Sequence, residues 1–347
     1  MPRERDKTID ILRGLAILIM IAANSSATIY AEPHPFWFRC LSSVAAPLFI
    51  TLSGMMVRFS QSRKDYPFKH FLKRGFMLII VAAFLDVAAW QMYPFTSFDV
   101  LYIIGLSAPI AFLFGRIRKA ILQWSLLGAV FLLTPVLQHL FGYTAYPSEF
   151  NFDGTYYLVV ENQTGVLNHL FIDGWFPVFP WLGFSLLGVM LARYRWPDEG
   201  NRSFCNTKIP LVAFAFLFGG ILLKIVLPVQ LYTREGFGEV FYPPTVGFCV
   251  YTVGIILALL SAFDAVGGSK LFQPLATIGR SALFLYVLHV FAINYILSVY
   301  WKGLNGSRFA LLWLCFAVLI GAIAYGLAFL KANWRPRPWF FRFLMGG

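Results

Sequence analysis

Successive apolar runs, each close to twenty residues long, constrain this chain more than any motif, because about 20 mainly apolar residues cross the hydrocarbon core of a bilayer as one helix. The runs fall at 9–30, 39–59, 71–90, 98–115, 120–141, 175–193, 209–228, 244–263, 280–300 and 309–330. Lipid offers the backbone no hydrogen bonds, so these runs are expected as helices and not as open sheet. The expected fold is an all-α, polytopic integral membrane helical bundle of about ten transmembrane helices. So little chain remains between the runs that one membrane domain over 1–347 is expected. Composition agrees: 59% of residues are hydrophobic and 13% charged, with a mean hydropathy of +0.70, outside the range of soluble domains. The basic N-terminal flank and first run look like a signal peptide but lack a small-residue cleavage site, so a retained first helix is expected. Pro47, Pro109, Pro135 and Pro180 are expected to kink their helices.

A net charge of +12 would suggest nucleic acid in a soluble protein. Here Lys and Arg cluster at helix ends and form no continuous stripe, which argues against nucleic acid and for membrane topology. Of the 28 basic residues, 22 fall in the N-terminus and alternate connections, while the 142–174 connection has Glu149, Asp153, Glu161 and Asp173 and no Lys or Arg. That bias predicts both termini in the cytoplasm and fits a bacterial inner membrane.

Polar residues inside apolar runs cost free energy unless they are paired or line a wet cavity, so they nominate functional sites. Arg13 lies about one turn inside the first run, where it can snorkel or grip phosphate oxygens with its bidentate guanidinium. Asn24 follows eleven residues later, about 16 Å further along the same helix. It can join two helices, hold a substrate carbonyl or orient a histidine. His34 sits between two prolines outside the first run, on the side opposite the basic connections, and imidazole suits proton transfer near neutral pH. Asp86, Asp99 and His289 are further substrate-side candidates, with helix capping the bland alternative for Asp99 and bundle hydrogen bonding for His289.

The chain has no Walker loop, HExxH pair, GxSxG elbow or CxxC, so nucleotide hydrolysis, zinc proteolysis and hydrolase chemistry lack support. Its four cysteines have no metal-ligand or disulfide spacing. No metal cofactor is expected.

Four blocks, IDILRGLAILIMIAAN, APLFITLSGMMV, FPVFPWLGFSLLGVMLAR and IGRSALFLYVLHVF, stand in this order between Ile9 and Phe291. Together they resemble the transmembrane acyltransferase superfamily, most closely the bacterial relatives of heparan-alpha-glucosaminide N-acetyltransferase. The related acyltransferase-3 branch has histidine where this chain has Asn24, whereas the heparan-type branch has asparagine there. In that branch a catalytic histidine follows shortly, ahead of a tryptophan, and His34, Pro35, Phe36 and Trp37 are similar in layout.

The resemblance implies an acyl-CoA donor, usually acetyl-CoA, and a glycan amine or hydroxyl as acceptor. It also implies donor binding at Arg13 and catalysis by His34 and Asn24, with His34 acting as base or acyl carrier. The bilayer is the expected partner, and a homodimer is compatible with the sequence. An ion-coupled small-molecule transporter is the alternative, because intramembrane Asp86 and Asp99 and the kinking prolines suit a permease equally well.

Overall fold

A computed structural model describes residues 5–63, 65–145, 164–197, 200–205, 208–334 and 336–346. Arg3, Lys64 and Arg335 of the basic connections, and Glu149, Asp153 and Glu161 of the 142–174 connection, lie outside the described residues. Local chemistry starts the helices. The Asp6 side chain accepts the Thr8 N–H at 3.1 Å to open α1 (Lys7–Ile29). Thr245 does the same for α10 (Val246–Val266), and Asn305 for α14 (Gly306–Asn333). Each satisfies a donor that a helix start leaves without a partner.

Between them come α2 (Phe36–Ser42), α3 (Ala45–Arg63), α4 (Phe68–Leu85, prolonged by a π turn over Asp86–Trp90), α5 (Val100–Gly115) and α6 (Ala120–Phe141). The short α7 (Val166–Asn168) precedes α8 (Val178–Arg195) and α9 (Ile209–Val226). After α10 the chain forms α11 (Gln273–Gly279), α12 (Ala282–Ala292) and α13 (Ser298–Tyr300), and α15 (Trp339–Met345) follows α14. Among the described residues there is no sheet, only two isolated β-bridges.

The expected count of about ten spans needs correction. All ten runs are helical, but among the described residues seven helices are long and apolar enough to cross a membrane, or eight if the pair Val166–Asp173 and Val178–Arg195, bent by 48°, counts as one span. The other two runs fall short for physical reasons. α4 begins with Lys69, Lys73 and Arg74, and α5 has 16 residues, about 24 Å at 1.5 Å each against a core near 30 Å. The prolines also divide: Pro109 and Pro135 lie within α5 and α6, and Pro180 follows Phe179, whose backbone leaves the helical region. Pro47 stands in the first turn of α3, where no intrahelical N–H is needed.

Burial separates inner from outer helices. In α1 and in Phe36–Arg63, 72% and 78% of the span is buried, against 17% in α6, 11% in α9 and 22% in α14. Lipid gives apolar helices no reason to hide, so close packing at small residues holds the inner ones together. At the crossing of α3 and α8, a β-carbon on Gly54 would strike the Ser185 carbonyl, and one on Gly188 would strike the Thr51 carbonyl. At α1 and α11, Gly14 faces the Leu275 carbonyl and Gly279 the Asp10 carbonyl. These crossings set the inner helices against each other.

Candidate active site

A cavity opens at the end of the bundle opposite the basic connections, a concave and mostly apolar pocket of the kind that takes a small molecule. Its floor comes from Met20, Ala23 and Asn24 of α1 and from Ala45 and Ala46 of α3. Asp99 and Tyr286 stand in one wall, and Trp90, Trp175, Phe176 and Phe237 add aromatic faces. The 227–245 segment folds back over the bundle and contributes Glu235, Glu239, Phe241 and Tyr242.

Asn24 and His289 are 265 residues apart in sequence, yet Asn24 Nδ2 lies 3.0 Å from His289 Nε2. His289 Nδ1 lies 3.1 Å from the Leu285 carbonyl oxygen, which can only accept. The Nδ1 therefore carries the proton and Nε2 accepts from the Asn24 amide, a tautomer assigned from these partners. His289 is fully buried. It fixes the Asn24 amide through one of its two N–H groups and leaves the other uncommitted among the described residues.

Asp99 caps α5 by accepting the Val100 N–H at 2.6 Å and also accepts the Tyr286 hydroxyl. Capping does not remove it from the site, because it still lines the cavity. Asp86 stands one layer behind and is fully buried. Its carboxylate accepts from Ser97 Oγ at 2.6 Å, Tyr102 Oη at 2.5 Å and the Phe95 N–H at 3.2 Å. It thereby anchors a turn in which Gln91, Phe95 and Phe98 all have positive φ, a conformation that costs side-chain-bearing residues energy.

The structure does not bring every candidate into the cavity. Arg13 lies at the other end of α1, half-buried, with Asp10, Arg5 and Arg74 as charged neighbours. Around it, Arg5 pairs with Asp10 at 2.9 Å, Arg280 approaches Asp10 at 3.5 Å, and Lys331 donates to the Arg280 carbonyl at 3.0 Å. Cations outnumber the single acid there. His34 does not line the cavity. Its ring stacks on Tyr30 at 4.9 Å, with Nε2 3.4 Å from the Tyr30 carbonyl and Nδ1 3.5 Å from where a β-carbon would sit on Gly238.

Glu239 was not among the residues nominated by the sequence. It is 4% exposed, lines the cavity, and has no hydrogen-bond partner for Oε2. Burial pushes its carboxyl up to about 7, with the Arg39 charge opposing. The signal available in the sequence was an acid set among aromatics and glycines in GFGEVFYPP. Arg234, also missed, is fully buried between Tyr143 and Tyr242 and donates to the carbonyls of Asp173, Gly174 and Thr144. It ties the 227–245 segment to both ends of the 142–174 connection. Among the described residues, no three His, Cys, Asp or Glu side chains cluster as metal ligands.

The sequence model of the family described as heparan-alpha-glucosaminide N-acetyltransferase, catalytic, matches residues 5–227, more than half of the chain. Arg13, Asn24, His34, Asp86 and Asp99 lie inside that stretch, while Glu239, Tyr286 and His289 lie beyond it. No curated protein matches the chain. A helical integral membrane protein whose mostly apolar cavity holds a few polar side chains, this chain is an enzyme of the acyl-transfer type and belongs to the heparan-alpha-glucosaminide N-acetyltransferase catalytic family.

Proposed function

We propose that the protein moves an acetyl group from acetyl-CoA to an amine or hydroxyl of a glycan acceptor across a bacterial inner membrane, with both termini and the basic connections on the donor side. The observation that carries this reading is helix α1. At its basic end stands Arg13, which has no hydrogen-bond partner among the described residues, and about 16 Å further on Asn24 lines the cavity.

These residues fit an acyl-CoA donor by charge and by polarity. Arg13 holds phosphate oxygens at the basic end, helped by Arg5, Arg280 and Lys331, which together outnumber Asp10. Asn24, fixed by His289, offers its free N–H to the thioester carbonyl, where negative charge develops during attack. His34, whose ring lies beside Gly238, is the imidazole that the family resemblance nominates for the proton. The aromatic faces and carboxylates suit a sugar, whose ring stacks while its polar groups hydrogen-bond.

The test is donor affinity in an Arg13 variant. Arg13→Ala is expected to raise KM for acetyl-CoA about tenfold or more with kcat little changed, since a charge-assisted hydrogen bond is worth about 1.5–3 kcal/mol and is made equally before and during reaction. Arg13→Lys should recover only part of the loss, because the two-pronged fork is gone. Unchanged donor affinity with abolished turnover would place the nucleotide elsewhere.

A further inference from the structure

The polar groups of the cavity differ in what they have left to offer a substrate. Asn24 is held by His289 through one N–H, and Asp99 already accepts from the Val100 N–H and the Tyr286 hydroxyl. Glu239 lines the same cavity with its Oε2 buried and without a hydrogen-bond partner. We propose that Glu239 anchors the acceptor sugar, its carboxyl accepting a hydrogen bond from a ring hydroxyl other than the group that is acetylated. The inference rests on the acyl-transfer reading above and adds to it a residue that selects the acceptor. The role is one of binding, and the proton released in transfer remains with His34, whose ring lies beside Gly238.

The backbone is built to present this side chain. Arg234 and Phe237 exchange backbone hydrogen bonds at 3.0 and 2.7 Å, closing a tight turn whose central residues, Glu235 and Gly236, have φ of 49° and 82°. Positive φ at both central positions is what the tightest hairpin turns require. Glycine is needed at 236 for a second reason: a β-carbon there would strike the Ala27 carbonyl at 2.3 Å, so the turn rests directly on α1. Just beyond the turn, Arg39 Nε donates to the Gly238 carbonyl and the Val240 N–H donates to Ser43 Oγ at 2.8 Å. The chain is thereby fastened to α2 and its C-terminal cap on both sides of Glu239, which keeps the carboxyl in the cavity wall.

A buried acceptor without a partner costs free energy, which is why native proteins hold few of them. An incoming hydroxyl supplies the missing hydrogen bond, and the carboxyl keeps an accepting oxygen in either protonation state. Phe237 and Tyr242 line the cavity on either side of Glu239, and Trp175 meets both edge to face, with ring centroids 5.2 and 5.7 Å away. Aromatic surface beside one fixed acceptor orients a sugar, whose ring packs on the apolar faces while the carboxyl chooses one hydroxyl. A site that pairs a substrate hydroxyl in this way rejects analogues lacking it, because its own polar group is then left unpaired.

The experiment compares wild type, Glu239→Ala and Glu239→Gln in nanodiscs, following coenzyme A release from acetyl-CoA with glucosamine and with its 3-deoxy, 4-deoxy and 6-deoxy analogues. Glu239→Ala should raise KM for glucosamine about 10- to 10²-fold, the effect of losing a hydrogen bond to a charged group, and leave KM for acetyl-CoA unchanged. Glu239→Gln should keep part of the affinity, since its amide oxygen still accepts. One deoxy analogue should be as poor for the wild type as glucosamine is for Glu239→Ala, and the two losses should not add. Both variants should melt no lower than wild type, because an unpaired buried carboxyl is removed. An unchanged KM for glucosamine in Glu239→Ala would overturn the assignment, as would losses that add for every analogue or the failure of both variants to fold. Release by no form, wild type included, would instead remove the acyl-transfer reading itself.

Discussion

Asn24→Ala is expected to lower kcat by about 10²–10³, the usual loss when one donor to a developing oxyanion is removed, while KM for acetyl-CoA stays near its wild-type value. The amide sits in the cavity with one N–H held by His289 Nε2 at 3.0 Å, so its remaining N–H meets the carbonyl without a rotamer search. Alanine also orphans His289 Nε2 inside the bundle, which costs about 1–3 kcal/mol of stability. Kinetics and melting must therefore be measured on the same samples. His289→Ala serves as the control: it leaves the amide in place but free to rotate, so stability should fall and turnover should drop less than in Asn24→Ala. Equal turnover in Asn24→Ala and wild type would show that the thioester does not sit beside this helix.

Gly188→Leu is expected to remove most of the folded protein. A β-carbon there meets the Thr51 carbonyl of α3 head on and comes within 2.9 Å of the Met55 nitrogen, and backbone cannot step aside as a flexible side chain would. Overpacking generally costs about 1–3 kcal/mol and more where nothing can yield, so the loss here should be about 3 kcal/mol or larger. Gly128→Leu, where nothing lies within 4 Å, should melt at the wild-type temperature or slightly above, because leucine is the better helix former. Melting in detergent, read alongside size-exclusion profiles, distinguishes them. Equal stability of the two variants would mean that α3 and α8 do not cross at this point.

Much of this fold was written in the sequence as apolar runs, since lipid leaves the backbone little choice but helix. Which helices lie inside was not. In water the most apolar helix seeks the core, but α9, among the most apolar, is the most lipid-exposed, whereas α1, which has Asp10, Arg13 and Asn24, is central. The number of spans was overread for a related reason: hydropathy marks α4 and α5 as apolar without registering a basic first turn or a length of 16 residues.

The site was legible where chemistry is costly. Asn24, Asp99 and His289 stood out as polar residues in apolar runs, and the structure gathers all three within or against one cavity. Glu239 was illegible because an acid in a connection between spans is ordinarily solvated. Only when Arg39 and Ser43 hold the 238–240 backbone against the bundle does that carboxyl become buried. His34 was conspicuous for its prolines and its layout, yet what it touches, Tyr30 and the Gly238 region, depends on contacts that no spacing reveals.

The most direct test of acyl transfer is coenzyme A release by the purified protein reconstituted in nanodiscs with acetyl-CoA, with and without glucosamine. The account predicts release that depends on the acceptor, with acetylated sugar formed in equal amount. No release by folded protein, together with uptake of a small molecule when the same protein is placed in proteoliposomes, would contradict it and identify the cavity as the binding site of a permease.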